Sequence, residues 1–130
     1  MSNLHVDIVT PESLVFSGDA KELRAPGWDG EFGVLPGHDA YLALLRGGIC
    51  TLVTDQGEKR YIVGRGFAET SADHVTVLTD SCRDASTADK AKAQQALAAV
   101  EAELMNISAY SEEYQVVKAN AELAQAELDA

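Results

Sequence analysis

Leu4, Val6 and Ile8 alternate with His5 and Asp7 at the start of the chain, so one side of an extended segment is apolar and the other polar. Side chains of a strand point alternately to its two faces, and this period of two predicts a half-buried strand that Thr10-Pro11-Glu12 ends. Leu14-Val15-Phe16 predicts a second strand, closed by the turn formers Ser17-Gly18-Asp19. Residues 20–25 alternate again and run into Pro26. Residues 40–45 are strongly apolar, Gly47-Gly48 turns them, and Ile49-Cys50-Thr51-Leu52-Val53 reads as a further strand. Asp55-Gln56-Gly57 predicts a hairpin turn into Arg60-Tyr61-Ile62-Val63. Phe67 and its followers, then Ser71-Ala72-Asp73 leading into Val75-Thr76-Val77-Leu78, bring the count to nine or ten short strands. Frequent turn signals separate them, which is the pattern of a β-sandwich or barrel.

Between these strands, residues 27–38 place four glycines and Pro36 within twelve positions. Glycine reaches positive φ without steric cost and proline fixes φ near −65°, so the stretch predicts a shaped, partly exposed ribbon of turns. Phe32, Val34 and Leu35 call for burial there, whereas Glu31 and His38 do not.

The pattern changes near Asp84. All ten glycines and all three prolines lie at or before Gly66, and the chain beyond residue 85 is rich in alanine without a helix breaker. Two regions follow: a β region over residues 1–84 and a helical region over residues 85–130. Ser86 or Thr87 is the expected helix cap, with Asp89 in the first turn, and Leu97, Val100, Leu104 and Ile107 make one apolar stripe. Residues 106–111 interrupt it, and Ser111 followed by Glu112 and Glu113 starts a second helix whose Tyr114, Val117, Ala121, Ala124 and Leu128 share a face. Two such helices form an antiparallel hairpin, and their alanine-rich contact faces bury little area, which predicts weak docking and a tail able to detach.

Composition narrows the function. Hydrophobic residues make up 46% and mean hydropathy is −0.10, as expected of a folded globular chain. No apolar run approaches the roughly 18 to 20 residues of a membrane span, and the start lacks a signal-peptide pattern, so the protein is expected to remain where it is made, without inserting into the membrane. Net charge is −11, from 21 acidic against 10 basic residues, which argues against nucleic acid or an anionic lipid surface as partner. Cys50 and Cys82 read as reduced thiols, and His5, His38 and His74 stand without metal-ligand spacing in the sequence, so no metal and no catalytic residue is expected. Gly27, Gly30 and Gly33 are not followed by Gly-Lys-Ser/Thr, which excludes a P-loop, and no cofactor is expected.

Five motifs in order are specific. Ile8-Val9-Thr10-Pro11-Glu12, Phe16-Ser17-Gly18, Gly30-Glu31-Phe32-Gly33-Val34-Leu35-Pro36-Gly37-His38, Gly64-Arg65-Gly66-Phe67 and Val75-Thr76-Val77-Leu78-Thr79-Asp80 resemble, in order and spacing, the ε-subunit family of bacterial F-type ATP synthases. The resemblance extends to Asn120-Ala121-Glu122-Leu123-Ala124-Gln125-Ala126 in the second helix. It implies an N-terminal ten-stranded β-sandwich followed by a C-terminal antiparallel helical hairpin, in a non-catalytic central-stalk subunit. Such a subunit binds the γ subunit and the polar loops of the c-ring, and couples ring rotation to the catalytic head. It also implies a peripheral location on the cytoplasmic face of the bacterial inner membrane. Glu31, Phe32, Gly33 and His38 fall on the family's ring-facing loop. Relatives that bind ATP in the hairpin carry an aliphatic-Asp-x-x-Arg-Ala motif, and the matching stretch here, with Asp89, Lys90 and Ala91, is degenerate; lysine cannot supply the bidentate fork of arginine. From residue 85 onward three lysines face eight acids, the wrong sign for extending onto the acidic segments of the catalytic head. The expectation is therefore weak or absent ATP binding and inhibition, with at most transient contact to the α/β head; the alternative is an ATP-sensing regulatory subunit whose hairpin extends to inhibit hydrolysis.

Overall fold

A computed structural model describes residues 3–130. Among them are ten strands: β1 (Leu4–Val9), β2 (Leu14–Ala20), β3 (Glu22–Gly27), β4 (Gly30–Val34), β5 (Tyr41–Leu45), β6 (Gly48–Thr54), β7 (Gly57–Val63), β8 (Gly66–Ser71), β9 (His74–Thr79) and β10 (Cys82–Asp84). A 3₁₀ turn (Ala85–Thr87) leads into helices α1 (Lys90–Leu104) and α2 (Glu112–Asp129). The strands hydrogen-bond in the order β2-β1-β9-β8-β5-β3-β6-β7-β10, with β4 attached to β3. β1 and β9 pair in parallel, and β3 and β5 touch through the single pair Gly27 and Leu45. That sparse junction is where the path bends over, giving one layer of β2-β1-β9-β8-β5 and a second of β3-β6-β7-β10. The expected ten-stranded sandwich with an appended helical hairpin is the observed architecture.

Alternation explains the core. Leu4, Val6, Ile8, Ala68, Val75 and Val77 from the first layer meet Leu23, Ala25, Cys50, Leu52, Tyr61 and Val63 from the second in one buried cluster. Their strand neighbours at odd offsets point outward, so each layer has an inner apolar face and an outer face of its own. Phe16 of β2 closes the open side, its ring 6.5 Å from that of Tyr61 on β7.

Three local expectations need correction. Ser17-Gly18-Asp19 does not end the second strand: Gly18 pairs with Val6 and Asp19 with His5, because partners on β1 satisfy the backbone of these turn formers. Within residues 27–38, Glu31, Phe32 and Gly33 lie on a strand, not a loop. One turn lies at Trp28-Asp29, closed by Gly30 at φ +133°, a conformation costly to any residue with a Cβ, and a second at Pro36-Gly37, where Gly37 has φ +82°. Neither Ser86 nor Thr87 caps α1; both belong to the 3₁₀ turn, and the Asp89 carboxylate accepts from Lys92 N at 3.1 Å as the cap. Ser111 caps α2 as expected, accepting from Tyr114 N at 3.2 Å.

Candidate functional site

The two outer faces of the sandwich differ. On the first layer, register sets Leu44 of β5 beside Phe67 of β8, Phe67 beside Leu78 of β9, Leu78 beside Val9 of β1, and Val9 beside Leu14 of β2. This cross-strand row is apolar from end to end, and nothing among the described residues covers it: Leu44 is 63% exposed, Leu14 60% and Phe67 37%. Leu42, also 63% exposed, widens it. A shallow depression continues the surface from Leu42 and Leu44 to Trp28 and Glu31. Large apolar side chains clustered on a folded surface mark an interaction site, whereas isolated ones need no explanation.

On the second layer the hairpin is the cover. Ile62 points outward from β7 yet is 2% exposed, because α2 lies across β6 and β7. Two faces of α2 are used. Val117 and Ala124 are buried along with Ala93 of α1, while Leu97, Val100, Leu104 and Ile107 of the predicted stripe are half-buried. The second face, missed from sequence, carries Glu122 and Ala126 one turn apart, both buried.

Glu122 is the centre of this contact. Its Oε1 accepts from Gly47 N at 2.9 Å and from Arg65 Nε at 3.1 Å, and its Oε2 accepts from Arg65 Nη2 at 3.0 Å. Arg46 Nη2 stands 4.0 Å away. Burial alone would push the carboxyl up, but the bonds from Arg65 and Gly47 and the charges of Arg65 and Arg46 outweigh it and hold the group below its ordinary 4.5. The two-pronged Arg65 contact uses the planar fork of guanidinium on carboxylate. Arg65 is itself fixed: its guanidinium lies over the Trp28 ring at 5.0 Å and its Nη1 donates to Gln115 Oε1 at 3.3 Å. Gly47 permits the approach, since a Cβ there would meet Glu122 Cβ at 2.8 Å.

Arg83 pairs with Glu127, whose other oxygen accepts from Asp89 N at 2.7 Å, and Arg60 donates to the Asp129 carbonyl at 3.2 Å. Apolar contact is as modest as the alanine-rich faces predict, but the hairpin is not held by apolar contact alone. Glu122 and Glu127 of α2 face Arg65 and Arg83 of the sandwich.

The ring-facing and nucleotide candidates fall as follows. Glu31 and Gly33 are exposed on β4, Phe32 points inward and is half-buried, with its ring 6.2 Å from Tyr41. His38 lies beyond Pro36-Gly37, its ring 4.9 Å from that of the same Tyr41 and its Nδ1 donating to the Asp39 carbonyl at 3.2 Å. Gly37 N donates to Ala72 O at 2.6 Å, which ties this end of the segment to the β8–β9 turn, whereas Glu31 sits at the Trp28 turn. Tyr41 thus links Phe32 and His38, and Glu31 is apart from His38. Asp89 is committed to capping α1, and Lys90 and Ala91 are exposed.

Comparison with known proteins agrees with this architecture. The family model described as ATP synthase, Delta/Epsilon chain, beta-sandwich domain matches residues 3–85. The chain is 40% identical over 126 residues to the ATP synthase epsilon chain of Bordetella avium, covering 84% of this chain and 89% of that one. It is 40% identical over 129 residues to the ATP synthase epsilon chain of Alkalilimnicola ehrlichii, covering 98% and 91%. Among solved structures, a chain of the Euglena gracilis mitochondrial ATP synthase OSCP/F1/c-ring assembly superposes with a TM-score of 0.81 at 19% identity, over 96% of this chain and 79% of that chain, a likeness of fold.

Proposed function

This chain belongs to the delta/epsilon family of ATP synthase subunits, and from that premise we propose that it is a non-catalytic rotor subunit of an F-type ATP synthase. In this reading it couples rotation of the c-ring to the catalytic head through the γ subunit. The observation that carries it is the bare apolar row Leu44-Phe67-Leu78-Val9 on a chain that covers its other outer face itself. A rotor must transmit torque without slipping, and a flat sheet face docked through interdigitated apolar side chains resists shear while losing little ordering entropy on binding. The γ subunit is the proposed occupant of that row.

The polar loops of the c-ring are assigned to the edge formed by β4 and the segment after it. Glu31 offers a free carboxylate beside Trp28, and Gly33 leaves the β4 backbone open to approach. His38 presents its ring from a position stiffened by Tyr41. Because these groups spread along a strand, the contact is a ribbon and not a point.

The hairpin is proposed to rest on the sandwich, with weak or absent inhibition of ATP hydrolysis, weak or absent ATP binding, and transient contact with the α/β head. The Arg65, Gly47 and Glu122 arrangement supports the docked state. The capping role of the Asp89 carboxylate removes one of the groups a nucleotide site would need. No helix of the described residues is long and apolar enough to cross a membrane. The chain is accordingly proposed to sit peripherally on the cytoplasmic face of a bacterial inner membrane through its partners, in a proton- or ion-translocating complex.

Membranes whose ATP synthase lacks this chain provide the test. Adding the full chain is expected to restore ATP-driven ion pumping, and a chain ending at Asp84 is expected to restore most of it with little change in ATP hydrolysis. Failure of the full chain to restore pumping contradicts the coupling role, and a large rise in hydrolysis on truncation contradicts the weak inhibition.

A further inference from the structure

Beyond the apolar row, the same outer face carries a polar cluster. His5 and Asp7 are two residues apart on β1 and therefore share the outward side. Register sets His5 between His74 on β9 and Asp19 on β2, and Asp7 between Thr76 and Ser17. The sequence separates His5 from His74 by most of the sandwich, so spacing rules for metal ligands are blind to the pair, and the parallel pairing of β1 with β9 is what joins them.

The distances are those of ligands. His74 Nε2 lies 3.0 Å from Asp7 Oδ2 and His5 Nε2 lies 3.4 Å from Asp7 Oδ1. With metal–ligand bonds near 2.0 to 2.1 Å, a tetrahedral zinc sphere has edges of about 3.3 Å. Taking one ligand atom from each of the three residues, all lie within 4.8 Å of one another. The widest edge closes by small rotations of the two half-exposed imidazoles.

The surroundings match as well. His5 Nδ1 stands 3.3 Å from Asp19 Oδ1, a carboxylate that accepts from it, and the opposite ring nitrogen, Nε2, faces Asp7 Oδ1 at 3.4 Å. A ring nitrogen set against a carboxylate is a place for a cation, whether a proton or a metal ion, between them. A carboxylate holding the far nitrogen of a ligand histidine is also the usual outer support of a zinc-bound imidazole. Two imidazoles and one carboxylate suit zinc or a neighbouring transition metal over magnesium or calcium, which take mostly oxygen ligands. The hydroxyls of Ser17, 3.4 Å from His5 Nε2, and Thr76, 3.5 Å from His74 Nε2, stand beside the two ligand nitrogens.

The geometry points to a surface site for one divalent transition-metal ion of the zinc type, held by His5, Asp7 and His74 and oriented by Asp19. Such an ion bridges β1 to β9, the parallel pair that joins the first strand to the ninth within one layer, and so staples the first strand in place. Asp7 and Thr76 stand two positions before Val9 and Leu78 on the same outward side, so the site borders one end of the apolar row, and metal binding by the isolated chain does not depend on how that row is used.

Titration calorimetry of the full chain with Zn²⁺ alone, in a Cys82→Ser background to remove the accessible thiol, tests it. The expected result is saturable binding of one ion per chain, accompanied by a rise in Tm. Affinity should fall at least about tenfold in each of His5→Gln, His74→Gln and Asp7→Asn, and be unchanged in His38→Gln. With Co²⁺, tetrahedral absorption bands are expected in the parent and lost in the His74→Gln variant. Each variant's Tm without metal identifies any that fails to fold. Absence of saturable binding overturns the site, as does binding that persists at full strength in the folded His5→Gln and His74→Gln variants. Titration of the two imidazoles by protons without any zinc uptake equally overturns it, because the cluster then holds a proton only.

Discussion

The outer face over β6 and β7 and the outer face over β5, β8 and β9 are built from the same alternating strands, yet one is covered by its own chain and the other is bare. The covered face shields Ile62 beneath a helix that contributes mainly alanines, and it relies on a buried carboxylate answered by an arginine and a backbone N–H. The bare face leaves Leu44, Phe67 and Leu14 exposed although burying what each still shows to water would release about 1–2 kcal/mol. A polar latch with little apolar area specifies one position and is released by removing one charge. An apolar row with no latch is adhesive and waits for a matching surface. The same sandwich therefore carries one reversible internal contact and one contact kept for a partner.

Breaking the latch gives the largest effect on the chain alone. Glu122→Ala leaves Arg65 without its counter-charge and Gly47 N without an acceptor, and should cost the docked hairpin about 3 kcal/mol, or roughly a hundredfold in the open population. Trp28 is the only tryptophan and lies against Arg65, so its emission reports the change directly. Cys82, which lines a cavity with Leu123 of α2, should react faster with thiol reagents. Acid should act on the same group. The folded-state pKa of Glu122 is depressed, so its contribution is complete above the ordinary value of 4.5 and is lost as pH falls through the lower folded value. The Trp28 signal is expected to shift on acidification in the parent and to lose most of that shift in Glu122→Gln.

Gly47→Ala inserts a Cβ 2.8 Å from Glu122 Cβ and should loosen docking by about 2 kcal/mol, seen as the same emission change at smaller amplitude. Glu127→Gln removes a pair whose arginine is half in solvent, and should cost about 1 kcal/mol by the same measurement. Leu42→Ala on the bare face should change the chain's own stability by no more than about 0.5 kcal/mol in urea unfolding, since 63% of that side chain is already in water.

How these features relate to the sequence follows from the range of the interactions. Leu4, Val6 and Ile8 announce β1, and Ser111 announces α2, because alternation and capping are set by residues a few positions apart. Asp89 and Ser86 both look like caps, and the choice between them depends on Arg83 and Glu127, which meet only after α2 has returned to the sandwich. Glu122 is indistinguishable from a solvated helix acid until Arg65 and Gly47, 57 and 75 positions away, are brought to it. The apolar row is similar: residues 40–45 are visibly apolar, but which of Leu44 and Leu45 faces outward is a matter of register with β8. Glu31, Phe32, Gly33 and His38 are adjacent in sequence but spread over a strand and the segment beyond it, so a reading by neighbourhood overstated their clustering.

The central claim, that the bare row is the docking surface of the rotor, is tested most directly by measuring the affinity of the full chain for the γ subunit with Leu44→Thr and Phe67→Thr combined. Threonine keeps the strand propensity of both positions while removing the apolar contact. The account predicts that Tm of the isolated chain stays close to the parent's and affinity falls about a hundredfold or more, while Glu122→Ala binds γ as the parent does. Undiminished binding by the folded double variant, or an equal loss in Glu122→Ala, would contradict it.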